Sequence, residues 1–342
     1  MFNYLLRRIF LMIPTFFGIT LVSFFIINLA PGSPVEQKLQ AMRFSGELGG
    51  AGGGNAQGDM SANQEVIDAL KKQYGFDKPV HVRYWIWLKN LSRLDFGDSF
   101  TYQEPVMDVI ASKFPVSLQF GIASLIFTYL ICIPLGIRKA IVAGSRFDTV
   151  SSIVLFFMWS VPTLVLGISL ITFFAGGSYF NWFPIGQLQS DGFESLTWTQ
   201  RLVDRIHHFI LPLICYMLSG FTELTMLTRN SMLDVIRQDY IRTARAKGLS
   251  EKAVYFKHGL RNALIPVATG FGGFFGVFLA GSLIVERLFQ LDGIGLLSYS
   301  SIMSRDYNVI MGIIFLSSLV LLIGRLFSDF IYVLVDPRID FK

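Results

Sequence analysis

The sequence predicts an all-α membrane protein with six transmembrane helices. Of its 342 residues, 52% are hydrophobic and only 15% are charged, whereas soluble domains carry about 25% charged residues. Six apolar segments also approach the ~20 residues that a helix needs to cross the hydrocarbon core. The net charge of +5 lies mostly beside these segments, where membrane topology accounts for it without nucleic-acid binding.

Residues 1–30 are predicted to form a cytoplasmic N-terminus and the first span. Arg7 and Arg8 precede the apolar run, and basic residues favour the cytoplasmic side of a membrane. The run is longer than the roughly 7–15 apolar residues of a secretory signal, so it is expected to remain as an anchor.

Residues 31–113 are predicted to form a small helical insertion outside the cytoplasm. Its glycine-rich centre, 49–58, cannot bury a core and should be flexible. One helix is expected over 61–74, and a second after Pro79, with an apolar side made of Val82, Trp85, Leu88 and Leu91. The insertion could be a lid on the outer mouth or a docking surface for an extracytoplasmic partner.

Residues 114–342 contain the other predicted spans, over 114–137, 150–174, 207–228, 263–285 and 309–334. Arg325 and Asp329 lie at i, i+4 in the last one, so this pair should face protein or an interface. Basic residues between the second and third spans, and again between the fourth and fifth, place both termini in the cytoplasm.

The sequence offers no catalytic or metal site. No lysine follows a glycine, so the phosphate loop of ATP-binding proteins is missing. The zinc-protease, thiol-redox and serine-hydrolase motifs are missing too. His207 and His208 are adjacent and cannot share a helix face, while Cys132 and Cys215 fall inside apolar runs. We therefore expect no cofactor in this chain.

Polar and small residues within the spans are the remaining candidates. Glu223 lies in the fourth span, six residues before Arg229. It could be structural or interfacial, could line a pathway, or could bind a coupling ion in a secondary transporter or channel that works alone. In the fifth span, close helix packing or a pathway lining is predicted for Gly272, Gly273 and Gly276.

The segment 229–262, hereafter the coupling loop, is the most distinctive part of the sequence. It holds eight Lys or Arg and three acidic residues. A helix is predicted over 231–247, with an apolar stripe of Met232, Val235, Ile236 and Tyr240, followed by a turn at Gly248 and a second helix capped by Ser250. Ala244 and Ala246 should keep the corner thin enough to enter a groove. The alternative is a basic helix lying on anionic membrane lipid.

Thr243–Gly248, followed by Asn262–Pro266, resembles the coupling motif of ATP-binding-cassette (ABC) importer permeases of the dipeptide and oligopeptide branch. Further similarities are spread along the chain, at Tyr74–Pro79, Phe96–Ser99, Glu286 with Gly293 and Gly295, Arg305–Tyr307 and Asp336–Arg338. The general importer motif starts Glu-Ala-Ala, where this chain has Arg242, Thr243 and Ala244. Only Ala244, Gly248 and Leu260 match that general form.

The resemblance implies a type I importer permease in the bacterial inner membrane that takes up oligopeptides by alternating access, which would include peptide antibiotics such as microcin C. It implies a second homologous six-span permease, a periplasmic peptide-binding protein and a cytosolic ATPase whose two nucleotide-binding domains share one chain and bind ATP and Mg²⁺. The residues expected to contact the ATPase are Tyr240, Arg242, Thr243, Ala244, Arg245, Ala246, Lys247, Gly248, Leu249 and Leu260.

Overall fold

A computed structural model of the chain describes residues 2–29, 77–177, 179–270 and 281–335. These residues form helices and no β-strand, apart from one isolated bridge between Asp98 and Pro105. The helices are α1 Phe2–Leu29, α2 Val80–Leu91, α3 Val106–Ile141, α4 Arg146–Ser160, α5 Thr163–Phe174, α6 Trp198–Ile236, α7 Asp239–Ala246, α8 Glu251–Ala253, a π-helix Val254–Gly259, α9 Leu260–Ala263, α10 Ile265–Gly270, α11 Leu283–Leu288, α12 Ile294–Met303 and α13 Tyr307–Val335.

Three helices are long and apolar enough to cross a membrane, over Leu6–Leu29, Val106–Ile141 and Tyr307–Phe330. Two bent pairs raise the number of candidate spans to five within the described residues, if each pair is one span. The predicted fifth span, 263–285, includes residues 271–280, which lie outside the described part. The helical class is confirmed.

The third predicted span is not one continuous helix. It is broken between α4 and α5, which meet at an angle of 98°. Pro162 precedes α5, and Val161 is extended with φ −81° and ψ 119°. Proline disfavours the helical conformation in the residue before it, which explains the break.

The chain divides into two compact units. The first comprises residues 1–8, 113–296 and 319–342, and the second comprises 9–112 and 297–318. In the first unit, aromatic rings stack at the centre of the core. The ring centroids of Phe120 and Phe209 lie 4.3 Å apart, and those of Phe120 and Tyr216 lie 5.5 Å apart. This core fixes α3 against α6.

In the second unit, α2 packs on α1 through Tyr84, whose hydroxyl lies 3.1 Å from that of Thr20. The predicted helix after Pro79 is present. On its predicted apolar side, Leu91 is buried and Leu88 packs on the core, but Trp85 is 70% exposed and Tyr84 is buried instead. The helix therefore turns Tyr84 toward Phe24 of α1, at a ring distance of 5.3 Å.

Two motifs of the second unit, far apart in sequence, meet at the start of α13. Ser99 donates a hydrogen bond of 2.5 Å to the buried Asp306, and the Thr101 amide donates one of 3.0 Å. Asn308 donates to the carbonyl of Asp98 at 2.8 Å. The segments 96–99 and 305–307, noted separately in the sequence, thus form one structural element.

The acid in the last helix finds a different partner from the one that the sequence suggested. Asp329 pairs with Arg8 of α1 at 2.7 Å, within the first unit, rather than with Arg325 one turn away. The glycine-rich segment 49–58, the helix expected over 61–74, Gly272, Gly273 and Gly276, and Asp336–Arg338 all lie outside the described residues.

Candidate functional site

The coupling loop contains the predicted helix, glycine turn and helix. Helix α7 ends in a turn closed by hydrogen bonds from Lys247 to the carbonyl of Thr243 (3.0 Å) and from Gly248 to that of Arg245 (2.9 Å). Gly248 has φ +77°, a conformation that favours glycine. An added Cβ would meet nothing within 4 Å, so backbone geometry, not crowding, calls for glycine here.

The helix predicted over 231–247 is interrupted. Helix α6 ends at Ile236, and α7 begins at Asp239. Gln238 between them is extended, with ψ 151°. The sequence there has no glycine or proline to signal a break. The corner therefore follows a separate helix of eight residues, α7, and is not continuous with α6.

Helix α7 has one buried side and one exposed side. Ile241 and Ala244 are buried against Val254, with Val235 packed beside them. Of the two alanines predicted to keep the corner thin, Ala246 is exposed and Ala244 is buried, where its small side chain lets α7 approach the following segment. Tyr240 is 42% exposed, which excludes it from the buried side. The other predicted contact residues at the surface are Arg242, Thr243, Ala246, Lys247, Gly248 and Leu249.

Arg245, Glu251 and Tyr255 form a group that we call the corner clasp. The guanidinium of Arg245 donates to both carboxylate oxygens of Glu251, at 2.9 and 3.2 Å, and to the Tyr255 hydroxyl at 3.0 Å. The pKa of the Glu251 carboxyl lies below its ordinary value, because of its side-chain hydrogen bond with Tyr255 and then that with Arg245. The clasp bridges the chain across Gly248.

Lys139, Asp148 and Arg229 form a second, buried group that we call the root network. Arg229, at the start of the coupling loop, binds both oxygens of Asp148 at 2.8 and 2.6 Å. The ammonium of Lys139 lies 3.3 Å from the same carboxylate and also donates to Ser151 and Ser152, at 2.7 and 2.8 Å. The network ties α3, α4 and α6 together where the loop begins.

The far end of the loop packs against its start. Met232 is fully buried beside Ala263, with Leu260 partly buried next to them. The Asn262 amide donates to the hydroxyl of Tyr240 at 2.8 Å. Between them, Val254–Gly259 is π-helical, a conformation found frequently at functional sites. Leu260 is thus half-buried, in contrast to the exposed corner.

Glu223 was the intramembrane carboxylate that the sequence singled out, yet the structure buries a different one. Glu223 is exposed on α6, although Thr222 and Thr225 beside it are buried. Glu286 of α11 has no exposed surface. Its sequence neighbourhood, an acid directly after Leu283-Ile-Val, could have signalled this.

Four donors surround the Glu286 carboxylate. They are the hydroxyls of Ser117 (2.8 Å) and Tyr216 (3.0 Å) and the amides of Ser282 (3.3 Å) and Leu296 (2.7 Å). A Cβ on Gly293 would lie 2.5 Å from its carboxyl carbon, so glycine is required there. Buried backbone amides need hydrogen-bond acceptors, and Glu286 accepts from the amide just before α11 and from one in the first turn of α12.

A metal centre is not supported. Within the described ranges, no group of three or more His, Cys, Asp or Glu side chains could hold a metal ion. His208 instead contacts the carbonyl of Asp204 through Nδ1 at 2.9 Å. Both cysteines are free and buried.

Comparisons with known proteins give the family. Residues 132–341 match the model of the binding-protein-dependent transport system inner membrane component. The inner membrane ABC transporter permease protein YejB of Escherichia coli O157:H7 is 44% identical over 99% of both chains. The peptidoglycan transport system permease protein YejB of Agrobacterium fabrum is 45% identical over 99% of this chain and 98% of its own, and the oligopeptide transport system permease protein AppB of Bacillus subtilis is 37% identical over 99% of each. The chain therefore belongs to the binding-protein-dependent transport system inner membrane component family, as an ABC transporter permease.

Proposed function

We propose that this chain is the permease through which an ABC importer takes up oligopeptides, with a separate cytosolic ATPase supplying the energy. The observation that carries the proposal is the exposed glycine corner at Gly248, held on a buried root network. A partner that binds such a corner can move the helices that the root network joins. Full-length similarity to permeases named for oligopeptides, di/tripeptides and glutathione supports the class of cargo.

The proposed assembly contains a second homologous six-span permease, an extracytoplasmic peptide-binding protein and an ATPase with two nucleotide-binding domains in one chain. ATP and Mg²⁺ would bind to that ATPase and not to this chain. The permease would lie in the inner membrane with both termini in the cytoplasm, so that the basic coupling loop faces the ATPase. Its cargo would include peptide antibiotics such as microcin C.

The proposed mechanism is alternating access. Closure of the ATPase dimer pulls the corner, and the spans joined by the root network rock between inward and outward states. The ATPase can shift this equilibrium only by binding one arrangement of the loop more tightly than the other. Tyr240, Arg242, Thr243, Ala246, Lys247 and Leu249 would supply the exposed contacts, while Ala244 and Leu260 hold the loop from within.

Gly248→Asp tests this function. A side chain at φ +77° strains the corner by roughly 1–2 kcal/mol and also obstructs the partner's groove. Uptake of a labelled peptide into proteoliposomes holding the complete importer should be lost, while membrane insertion stays normal. Co-purification of the ATPase should fall in parallel.

Gly177→Asp is the matched control. Gly177 has φ +70°, and a Cβ added there would meet nothing within 4 Å, as at Gly248, but it lies outside the coupling loop. It should keep normal uptake. Normal uptake by Gly248→Asp would refute the coupling role, and uptake by the purified chain without any ATPase would favour a stand-alone transporter that uses Glu223.

A further inference from the structure

A pocket in the first unit, lined by both polar and apolar side chains, has no role in the coupling scheme. Its volume is about 350 Å³, within the usual range for small-ligand sites of roughly 300–1,000 Å³. It lies between the first part of α3, the loop before α6 and the first part of α6. Its lining consists of Pro115, Val116, Gln119, Gln187, Leu188, Gln189, Arg205, His208 and Phe209.

The polar side chains of this pocket are largely uncommitted. Across the residues that the structure describes, no side-chain hydrogen bond or salt bridge involves Gln119, Gln187, Gln189 or Arg205. Arg205 only lies over the ring of Phe193, with its guanidinium carbon 5.0 Å from the centroid. It is the one arginine of the pocket lining.

Asp204, the acid next to Arg205 in the sequence, is not paired with it. Asp204 is already engaged by Ser190, whose amide donates at 3.0 Å and whose hydroxyl donates at 2.5 Å. The Nδ1 of His208 lies 3.7 Å from the carboxylate oxygen that accepts from the Ser190 hydroxyl. Arg205 is exposed at the pocket, and the carboxylate next to it in sequence is engaged by Ser190 and His208.

The loop that carries the Gln187 and Gln189 side chains has a strained backbone conformation. Gln187 has φ +66°, which is strained for a residue with a side chain. Its amide donates to the carbonyl of Phe289 in the chain after α11, at 2.9 Å. Leu188 packs on the core beside Phe289. This anchoring fixes Gln187 and Gln189 at the pocket, although their amide groups find no protein partner there.

This set of groups fits one end of a peptide. A guanidinium binds a carboxylate through two parallel hydrogen bonds, and a glutamine amide can both donate to and accept from a peptide group. Pro115, Val116 and Phe209 supply an apolar surface for a side chain. We propose that the pocket binds the C-terminal end of the transported peptide, with the free carboxylate on Arg205 and backbone amides on the glutamines. This inference rests on the proposed peptide import.

Arg205→Gln tests the proposal in proteoliposomes that hold the complete importer. Two labelled peptides of the same sequence are compared, one with a free C-terminus and one amidated. Because a hydrogen-bonded charge pair is lost, KM for the free peptide should rise roughly tenfold, while KM for the amidated peptide and both maximal rates stay unchanged. Taking the ratio of variant to wild type for each peptide cancels any preference of the binding protein.

Arg201→Gln is the matched control, since Arg201 lies over the same Phe193 ring at 5.6 Å. Its guanidinium is committed to the carbonyl of Leu196 at 2.9 Å, and it does not line the pocket. KM for both peptides should match the wild type. A second variant, Gln189→Leu, should raise KM for both peptides, because each has the backbone groups that the amide would bind.

The outcomes separate the possibilities. Equal effects of Arg205→Gln on the two peptides, or no effect on either, overturn the carboxylate site. A lower affinity for the binding protein, with no difference between the peptides, would mean that the pocket is a protein contact and would also overturn it. If the wild-type importer moves neither peptide with ATP, the proposed function itself fails.

Discussion

Asp148 and Glu251 are both carboxylates paired with an arginine of the coupling loop, but their surroundings differ sharply. The Asp148 side chain is 6% exposed and accepts from two cations and from the Gly144 amide. The Glu251 side chain is 58% exposed, and its partner Arg245 is 36% exposed. The same chemical pair therefore forms a buried root in one place and a surface clasp in the other.

The difference indicates that the start and the corner of the coupling loop differ in rigidity. Breaking a buried ion pair leaves a charge stranded in a medium of low dielectric, which is strongly destabilising. An exposed pair is screened by water and contributes little. The root can thus act as a fixed foundation, while the corner can rearrange when a partner binds. Substitutions at three sites test this contrast, in order of decreasing effect.

The largest effect is expected from Asp148→Asn. The substitution leaves the buried Lys139 and the partly buried Arg229 without their counter-charge, which should lower the free energy of unfolding by about 3–5 kcal/mol. The thermal midpoint of the purified permease complex, followed by tryptophan fluorescence, measures it. Asp234→Asn, at an exposed position of the same loop, should leave the midpoint unchanged. Equal midpoints for the two variants would contradict a rigid root.

An intermediate effect is expected from Glu286→Gln. This substitution tests whether a buried carboxylate that is bound only by neutral donors stabilises the fold as much as Asp148 does in the root network. Glutamine retains one acceptor but directs an amide N–H₂ at a donor, so the expected loss is about 1–3 kcal/mol. The same fluorescence melt applies. Glu223→Gln is the control, being the same change at an exposed glutamate. A loss as large as that of Asp148→Asn would show that hydrogen bonds alone can match an ion-pair network.

The smallest effect is expected at the corner clasp. Arg245→Glu or Glu251→Arg alone should weaken ATPase binding roughly fivefold or less, and the double charge swap should restore it. If Arg245 instead touches the ATPase, the swap will not rescue binding. The control is the equivalent swap of Lys113 and Asp292, an ion pair outside the coupling loop, which should leave ATPase binding unchanged.

The clasp also carries a pH dependence. Because the pKa of Glu251 in the folded protein lies below its ordinary value of 4.5, its stabilisation is complete above that value and is lost as the pH falls through the lowered one. ATPase binding measured on both sides of pH 4.5 should weaken at the acidic end. Glu251→Gln should remove this component, and an unchanged pH profile in that variant would argue against the clasp.

Local signals predicted local structure well. Gly248 and the capping Ser250 indicated the corner, and the structure has both, with Ser250 accepting from the Ala253 amide at 3.4 Å. Pro162 is an equally clear signal for a turn, but the apolar run continues through it and favoured a single span. The break between Ile236 and Asp239 had no comparable signal, since neither Arg237 nor Gln238 disfavours a helix strongly.

Long-range structure was less accessible. The root network joins residues 139, 148 and 229. The Glu286 site is a separate group, in which residues 117, 216 and 296 bind Glu286. Such groups form only when helices pack, and a helical pattern does not say which neighbour a face will meet. Ala244 shows the same limit, because a small residue suits both a thin exposed corner and a close buried contact. The roles of the corner residues stay predictions.

The π-helix at Val254–Gly259 sets the angular phase of the helices that come after it, α9 and α10. Each residue of an α-helix turns the chain by about 100°, and a π turn closes over one residue more than an α turn. Ala263 and Val267 face their buried neighbours with that extra residue in place. Shortening the segment by one residue would turn those side chains by about a quarter of a revolution, so length here, as much as composition, decides which face the next helix presents.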